Sequence, residues 1–130
     1  MDKIDVACAV IVKDGKILVA KRSSVMEHAG MWEFPGGKIN DNETAEQALI
    51  REINEELSIT IEIKQTLTPT EHAYENVTVK LFPFIVGIKS GQPQAQEHEQ
   101  IEWYYPDDLP VLPWTDADIA VVMEVVDLLG

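Results

Sequence analysis

Cysteine is almost absent from this sequence, whose 130 residues contain only Cys8. A single cysteine excludes an internal disulfide and a cysteine-based zinc cluster, and it fits a reducing compartment. Long apolar runs are also absent, since no stretch approaches the roughly 18–20 residues of a membrane-spanning helix. The segment 1–5 is acidic and lacks the basic start and apolar stretch of a signal peptide. We therefore expect a cytoplasmic protein without a membrane partner.

Positive charge is scarce, because 10 Lys and Arg face 23 Asp and Glu, for a formal net charge of −13. This balance argues against a nucleic-acid polymer as partner, because such binding depends on Lys and Arg meeting phosphates. A phosphate compound would instead need a divalent cation to attract it. The hydrophobic share of 45% excludes a disordered acidic chain. The length predicts a single domain over residues 1–130, as a monomer or a homodimer.

Local patterns predict an α+β fold. Asp14-Gly15 between two apolar runs indicates a β-hairpin. Pro35-Gly36-Gly37 is read as a turn, followed by a loop from Lys38 to Glu43. Thr44 and Gln47 form a capping box that opens a helix ending near Leu57. A second helix is predicted at Ala117–Leu129. Five further strands are predicted at Met31–Phe34, Ile59–Ile63, Leu67–Ala73, Val77–Ile88 and Ile101–Tyr105. Hairpin-joined strands favour a mixed or largely antiparallel sheet with two main helices.

Three carboxylates share one face of the first helix. Glu52, Glu55 and Glu56 have the spacing i, i+3 and i+4, at which like charges repel by a few tenths of a kcal/mol per pair. A solvated acidic face is one interpretation. The other is a site for a hard cation, because Mg²⁺ prefers oxygen ligands and is often held by carboxylates together with substrate phosphates. The glycine pair before the helix favours the second interpretation, since it lets the backbone approach a ligand closely.

These residues carry a family resemblance. Gly37, five residues, Glu43, seven residues and then Arg51 to Ile59 resemble the Nudix box, which differs here only at Ser58, where the box has glycine. The similarity extends to segments on both sides of the box: Ala20-Lys21-Arg22, Trp32 to Lys38, Glu97 to Trp103 and Ala117-Asp118-Ile119. It therefore covers nearly the whole chain. Within the family, the chain looks similar to the MutT-like branch, in particular to members of the CTP pyrophosphohydrolase type.

The resemblance implies a Nudix-type α/β/α sandwich and an enzyme that uses Mg²⁺, for which Mn²⁺ can substitute. The implied reaction is hydrolysis of a nucleoside triphosphate, possibly a modified one, to the monophosphate and pyrophosphate, as in nucleotide-pool sanitation. An alternative within the family is another nucleoside-diphosphate compound, such as ADP-ribose, a nucleotide sugar or a dinucleoside polyphosphate. An alternative of another class is a Nudix fold kept as a non-catalytic binding module.

The resemblance also implies roles for the box residues. Glu52 and Glu56 match the principal metal ligands, and the Gly36 carbonyl matches a backbone ligand. Glu55 is either a further ligand or a group that orients water. Arg51 matches an arginine that holds the box carboxylates in place. A loop glutamate, Glu97, is expected to join the metal site, and the general base is Glu52 or, as second choice, Glu97.

On the substrate side, Arg22 matches a residue that meets phosphate. Lys38 and Gly37 are further candidates, although Lys38 is as readily a solvated loop residue. Phe34 is either a wall of the base pocket or core. Asp118 aligns with a position that contacts the nucleobase, or it caps the second helix. The three histidines, which show no metal-ligand spacing, are expected at the surface or the pocket rim: His28, His72 and His98.

Overall fold

The structure is a computed structural model that describes residues 2–130; Met1, the start of the acidic N-terminal segment, lies outside the described residues. These residues form eight strands and two α-helices. In chain order they are β1 (Asp2–Lys13), β2 (Lys16–Lys21), β3 (Trp32–Glu33), β4 (Gly36–Lys38), α1 (Ala45–Leu57), β5 (Thr60–Thr66), β6 (Thr70–Ala73), β7 (Val77–Ser90), β8 (Gln100–Tyr104) and α2 (Ile119–Leu129). Short 3₁₀ helices occupy Pro106–Val111 and Asp116–Asp118.

Strand β1 organises the sheet. It pairs antiparallel with β2 through the hairpin at Asp14-Gly15, as predicted, and parallel with β7. The main path is β3-β2-β1-β7-β5, while β4 pairs with β1, β6 with β7 and β8 with β2. Among residues 2–130, all the other neighbouring pairs of named strands are antiparallel. The sheet is therefore mixed, in agreement with the sequence prediction.

The two helices cover opposite faces of the sheet. Alternate residues of a strand point to opposite faces, and β1 uses both: Ala7, Ala9 and Ile11 belong to the core under α1, whereas Cys8 and Val10 belong to the core under α2. This arrangement confirms the expected α/β/α sandwich with two main helices. In the part of the chain that is described, no helix is long and apolar enough to cross a membrane.

Helix α1 begins and ends as its sequence indicates. The Thr44 hydroxyl accepts a hydrogen bond from the Gln47 backbone N–H at 3.1 Å, and the Gln47 side chain accepts one from the Thr44 N–H at 2.9 Å. At the other end Ser58 adopts the left-handed conformation, with φ 59° and ψ 34°. A glycine would take that conformation without strain, whereas serine pays roughly 1 kcal/mol. The substitution of the box glycine therefore preserves the shape of the helix end.

The segment Gly36–Lys38 corrects the sequence interpretation. It was expected to be a turn and the start of a loop, but it forms strand β4 and pairs antiparallel with Val6–Cys8. Local sequence favours a turn, and the long-range pairing with β1 overrides it. The pairing is tight, since a Cβ atom at Gly36 would lie 2.0 Å from the Ala7 carbonyl oxygen. Only glycine fits between β4 and β1 at this position.

This contact predicts the effect of a single methyl group. Gly36→Ala should lower the free energy of unfolding by about 2 kcal/mol or more, because the rigid backbone of β1 cannot yield to the added atom. Gly87→Ala is the matched control, since a Cβ there meets only the flexible end of Lys64, at 3.1 Å, and should change stability by less than about 0.5 kcal/mol. Urea unfolding monitored by circular dichroism measures both values, and equal stabilities would contradict the steric argument.

Candidate active site

The three helix carboxylates lie in different environments. The Glu56 side chain is 6% exposed, the Glu52 side chain 20% and the Glu55 side chain 60%. Glu52 lies against β4, because a Cβ at Gly37 would be only 2.3 Å from its carboxylate carbon. The absent side chain at Gly37 thus makes room for a carboxylate. Glu52 and Glu56 point toward β4, while Glu55 remains largely in solvent.

Arg51 forms ion pairs with three glutamates, Glu43, Glu52 and Glu55. Its Nε donates to Glu43 Oε2 at 2.7 Å and one terminal nitrogen donates to Glu43 Oε1 at 2.9 Å, a bidentate pair. The other terminal nitrogen donates to Glu52 at 2.8 Å and lies 3.7 Å from Glu55. Arg51, together with the Asn40 backbone N–H, lowers the pKa of Glu43 to about 2. Arg51 therefore fixes Glu52 and binds the connection from β4 to α1.

Glu56 is the least solvated carboxyl group of the site. Burial raises its pKa to about 9, and the neighbouring charges of Glu52, Glu33 and Glu97 act in the same direction, while a hydrogen bond from the Gly36 backbone opposes them. Its Oε2 atom is buried and has no hydrogen-bond partner. An unpaired buried carboxyl oxygen is costly, so this atom is available to a ligand that replaces the missing partner.

The donor set fits a divalent metal, which the fold family uses in general. The unpartnered Glu56 oxygen, the Glu52 carboxylate and the backbone at Gly36 are hard oxygen donors of the kind that Mg²⁺ prefers. The side chains alone do not complete a site, since no three His, Cys, Asp or Glu residues within residues 2–130 are arranged to hold a metal ion. Substrate phosphates are the usual source of the remaining ligands for Mg²⁺.

A pocket of about 640 Å³ opens on the other side of β4. Arg22, Phe34 and Asp118 contribute to its wall, and Gly36, Gly37 and Lys38 form the edge nearest to α1. Arg22 is paired with Glu33, at 2.6 Å between Nη1 and Oε1. Phe34 is buried and packs on Trp114 at 4.8 Å between ring centroids, so it is both core and pocket wall. Lys38 is exposed.

Asp118 is buried and lines this pocket. Its Oδ2 accepts a hydrogen bond from the Phe34 backbone N–H at 2.7 Å, and it makes no capping hydrogen bond to α2. Asp118 therefore occupies the N-cap position of α2, as one interpretation expected, but its side chain bonds to Phe34 instead of capping the helix. Burial raises its pKa to about 7, against the opposing hydrogen bond from Phe34. Near neutral pH the group exists in both charge states and can either accept or donate a hydrogen bond.

The loop before β8 brings two more residues to the helix. Glu97 is exposed, and its charge contributes to the raised pKa of Glu56. His98, expected at the surface or rim, is instead buried, with a side chain only 1% exposed and its Nε2 2.8 Å from Glu33 Oε2. Sequence reasoning missed Glu33 and His98 as a pair. They are 65 positions apart, and no periodic pattern connects a loop histidine to a carboxylate on β3.

Comparison with known proteins identifies the class. The profile described as NUDIX domain matches residues 1–125, and the chain therefore belongs to the Nudix family. It is 35% identical over 122 residues to the CTP pyrophosphohydrolase of Escherichia coli K12, covering 94% of this chain and 90% of that one. It is 32% identical over 104 residues to the 8-oxo-dGTP diphosphatase of the same organism, covering 79% and 81%. A crystal structure of the MutT NUDIX hydrolase from Burkholderia pseudomallei superimposes with a TM-score of 0.84 at 34% identity, covering 97% and 99%.

The buried carboxyl group gives a direct test of the site. Glu56→Gln keeps the shape but removes the charge that would hold a cation, so turnover of the nucleotide substrate should fall by roughly 100-fold or more. The raised pKa of Glu56 means that the metal-free parent loses stability as pH rises toward that value. At pH 8 and without metal, the variant should therefore unfold at the same denaturant concentration as the parent or at a higher one. Glu46→Gln, in the exposed first turn of the same helix, is the control. Turnover within a few-fold of the parent at saturating Mg²⁺ would exclude Glu56 as an essential ligand.

Proposed function

We propose that this protein hydrolyses nucleoside triphosphates to the monophosphate and pyrophosphate with the help of a divalent metal. The observation that carries the proposal is the arrangement around β4. The pocket lies on one side of Gly36–Lys38, and the carboxylates Glu52 and Glu56 lie on the other. A nucleotide whose base fills the pocket would place its phosphates across the glycine edge, next to the carboxylates.

Different residues of the chain have different roles in the proposed reaction. Glu52, Glu56 and the Gly36 carbonyl would hold Mg²⁺, or Mn²⁺ in its place, and Glu55 and Glu97 would act as further ligands or orient the attacking water. The ion, when bound, would reverse the local negative potential, polarise the phosphoryl group and acidify water. Arg51 keeps Glu52 in position, and Glu52 is our first choice for the group that takes the proton from water. Arg22 and Lys38 provide positive charge for the phosphates on the pocket side.

The base is the least determined part of the substrate. The names of the relatives, a CTP pyrophosphohydrolase and 8-oxo-dGTP diphosphatases, support either a cytosine-type or an oxidised guanine nucleotide. An ionised Asp118 only accepts hydrogen bonds and so favours a base edge that presents an amino group, such as cytosine. We therefore propose a cytidine-type or modified pyrimidine triphosphate as preferred substrate, with 8-oxo-dGTP as the rival. The lone cysteine supports a cytoplasmic location.

The reaction is tested with a nucleotide panel. Incubation of CTP, dCTP, 5-methyl-dCTP, 8-oxo-dGTP, ADP-ribose and a nucleotide sugar, each with Mg²⁺ and with EDTA, should show metal-dependent release of pyrophosphate from the triphosphates. In ¹⁸O-labelled water the label should enter pyrophosphate, because attack at the β-phosphorus leaves the monophosphate unlabelled. Label in the nucleoside monophosphate would overturn the proposed bond cleavage. Faster turnover of ADP-ribose or the nucleotide sugar would overturn the substrate class.

The role of Asp118 is tested by Asp118→Asn. If Asp118 contacts the base, the ratio of kcat/KM between CTP and 8-oxo-dGTP should change by at least about 10-fold, or about 1.4 kcal/mol. An equal change for both substrates would rule out base reading. A raised native pKa means that the folded parent loses stability as pH rises from its unfolded value near 4 toward 7. The variant should therefore gain stability relative to the parent between pH 5 and pH 8, as measured by urea unfolding in EDTA.

A further inference from the structure

His98 connects the pocket wall to the carboxylate helix. Its Nε2 lies 2.8 Å from Glu33 Oε2, and its Nδ1 lies 3.9 Å from Glu56 Oε1. The second distance is too long for a hydrogen bond, and both Nδ1 of His98 and Oε2 of Glu56 are buried without partners. Two neighbouring side chains, a histidine from the loop and a glutamate from α1, thus each carry one buried polar atom without a partner.

Glu33, at the other end of this connection, is held in place by Arg22. Glu33 Oε1 accepts a hydrogen bond from Arg22 Nη1 at 2.6 Å, and Arg22 Nε donates to the Glu27 carbonyl at 2.5 Å. Arg22 and Glu33 both line the pocket. The result is a polar chain, Arg22–Glu33–His98–Glu56, that runs from the pocket behind β4 to the carboxylate face of α1. It is hydrogen-bonded as far as His98, and a gap of 3.9 Å separates His98 Nδ1 from Glu56 Oε1.

The backbone fixes the position of the imidazole from both sides. The Gln96 N–H donates to the Glu56 carbonyl at 3.2 Å, and the Glu99 N–H donates to the Lys21 carbonyl at 3.0 Å. The Gln96 side chain also donates to the Ser58 hydroxyl at 3.0 Å. Because the loop is bound to α1 before His98 and to β2 after it, the backbone of His98 is held close to Glu56.

We propose that His98 is a positioning residue that orients the Glu56 carboxylate and thereby sets the affinity of the site for a divalent cation. Because Nε2 donates to Glu33, Nδ1 can donate to Glu56 only when both ring nitrogens carry a proton. In that form a shift of Glu56 Oε1 by about 1 Å brings it within hydrogen-bond distance of Nδ1, which leaves Oε2 free for the ion. Groups behind a metal ligand commonly change metal affinity by about 10- to 100-fold. The inference rests on the proposed function only in taking Glu56 as a metal ligand; it does not depend on which nucleotide is cleaved.

The test measures binding of Mn²⁺ alone, by electron paramagnetic resonance, with no nucleotide present. His98→Phe fills the space without polar atoms and should weaken Mn²⁺ binding by about 10-fold or more. His98→Asn places an amide near the former Nδ1 and should retain more affinity than His98→Gln, whose amide lies near the former Nε2. His72→Phe, at a half-exposed histidine on β6, should leave the affinity unchanged. Melting temperatures in EDTA show which variants are folded.

A double-substitution cycle tests the link to Glu33. Glu33→Gln should weaken Mn²⁺ binding more in the parent than in the His98→Phe protein, where only the loss of the Glu33 charge near Glu56 remains. Unchanged affinity in His98→Phe, or additive effects of the two substitutions, would overturn the proposal. If His98→Phe does not fold, equal affinities of the Asn and Gln variants overturn it. Mn²⁺ binding without triphosphate hydrolysis would instead refute the proposed function and leave this inference standing.

Discussion

The site depends on the absence of side chains at two adjacent positions of β4. The space at Gly36 is taken by the Ala7 carbonyl of β1, and the space at Gly37 is taken by the Glu52 carboxylate of α1. This close packing brings the pocket and the carboxylates to opposite sides of a single strand. A larger residue at Gly36 would push β4 away from β1, and one at Gly37 would displace the Glu52 carboxylate, so either change would disturb the site. Arg51, Glu43 and the polar chain through His98 all act on a geometry that these contacts define.

Neighbouring carboxyl groups have opposite properties because their partners differ. Glu43 has a pKa near 2 since Arg51 and a backbone N–H bind its charged form, whereas Glu56 has a pKa near 9 since it is buried among other carboxylates. In the metal-free protein at neutral pH, the buried group therefore carries a proton. Metal binding to such a ligand must release that proton. This exchange lets a strongly acidic protein keep several glutamates together without an uncompensated buried charge.

The sequence alone predicts those features of the fold that depend on residues close together in the chain. The hairpin at Asp14-Gly15, the capping box at Thr44 and the extent of α1 follow from local patterns, and the Nudix resemblance gives the sandwich and the candidate carboxylates. Strand β4 was missed because its pairing with β1 outweighs the turn preference of Pro35 and two glycines. The burial of His98 and the near-neutral pKa of Asp118 were missed for a similar reason. His98 is buried beside Glu33, and burial raises the pKa of Asp118 against the opposing hydrogen bond from Phe34. Only the tertiary structure creates these surroundings, because the residues are distant in the chain.

The parallel pairing of β1 and β7 has a consequence for how the chain reaches this structure. The partners run from Asp2 with Val77 to Ile11 with Val86, so the middle of the sheet joins segments some 75 residues apart. Closing so long a loop costs entropy before any contact compensates for it, and folds of this kind form slowly. During synthesis, the hairpin and α1 emerge from the ribosome before their central partner strand exists. The apolar faces of β1 and α1 therefore stay exposed until β7 has been synthesised. During this interval the nascent chain is most prone to aggregate and to bind chaperones.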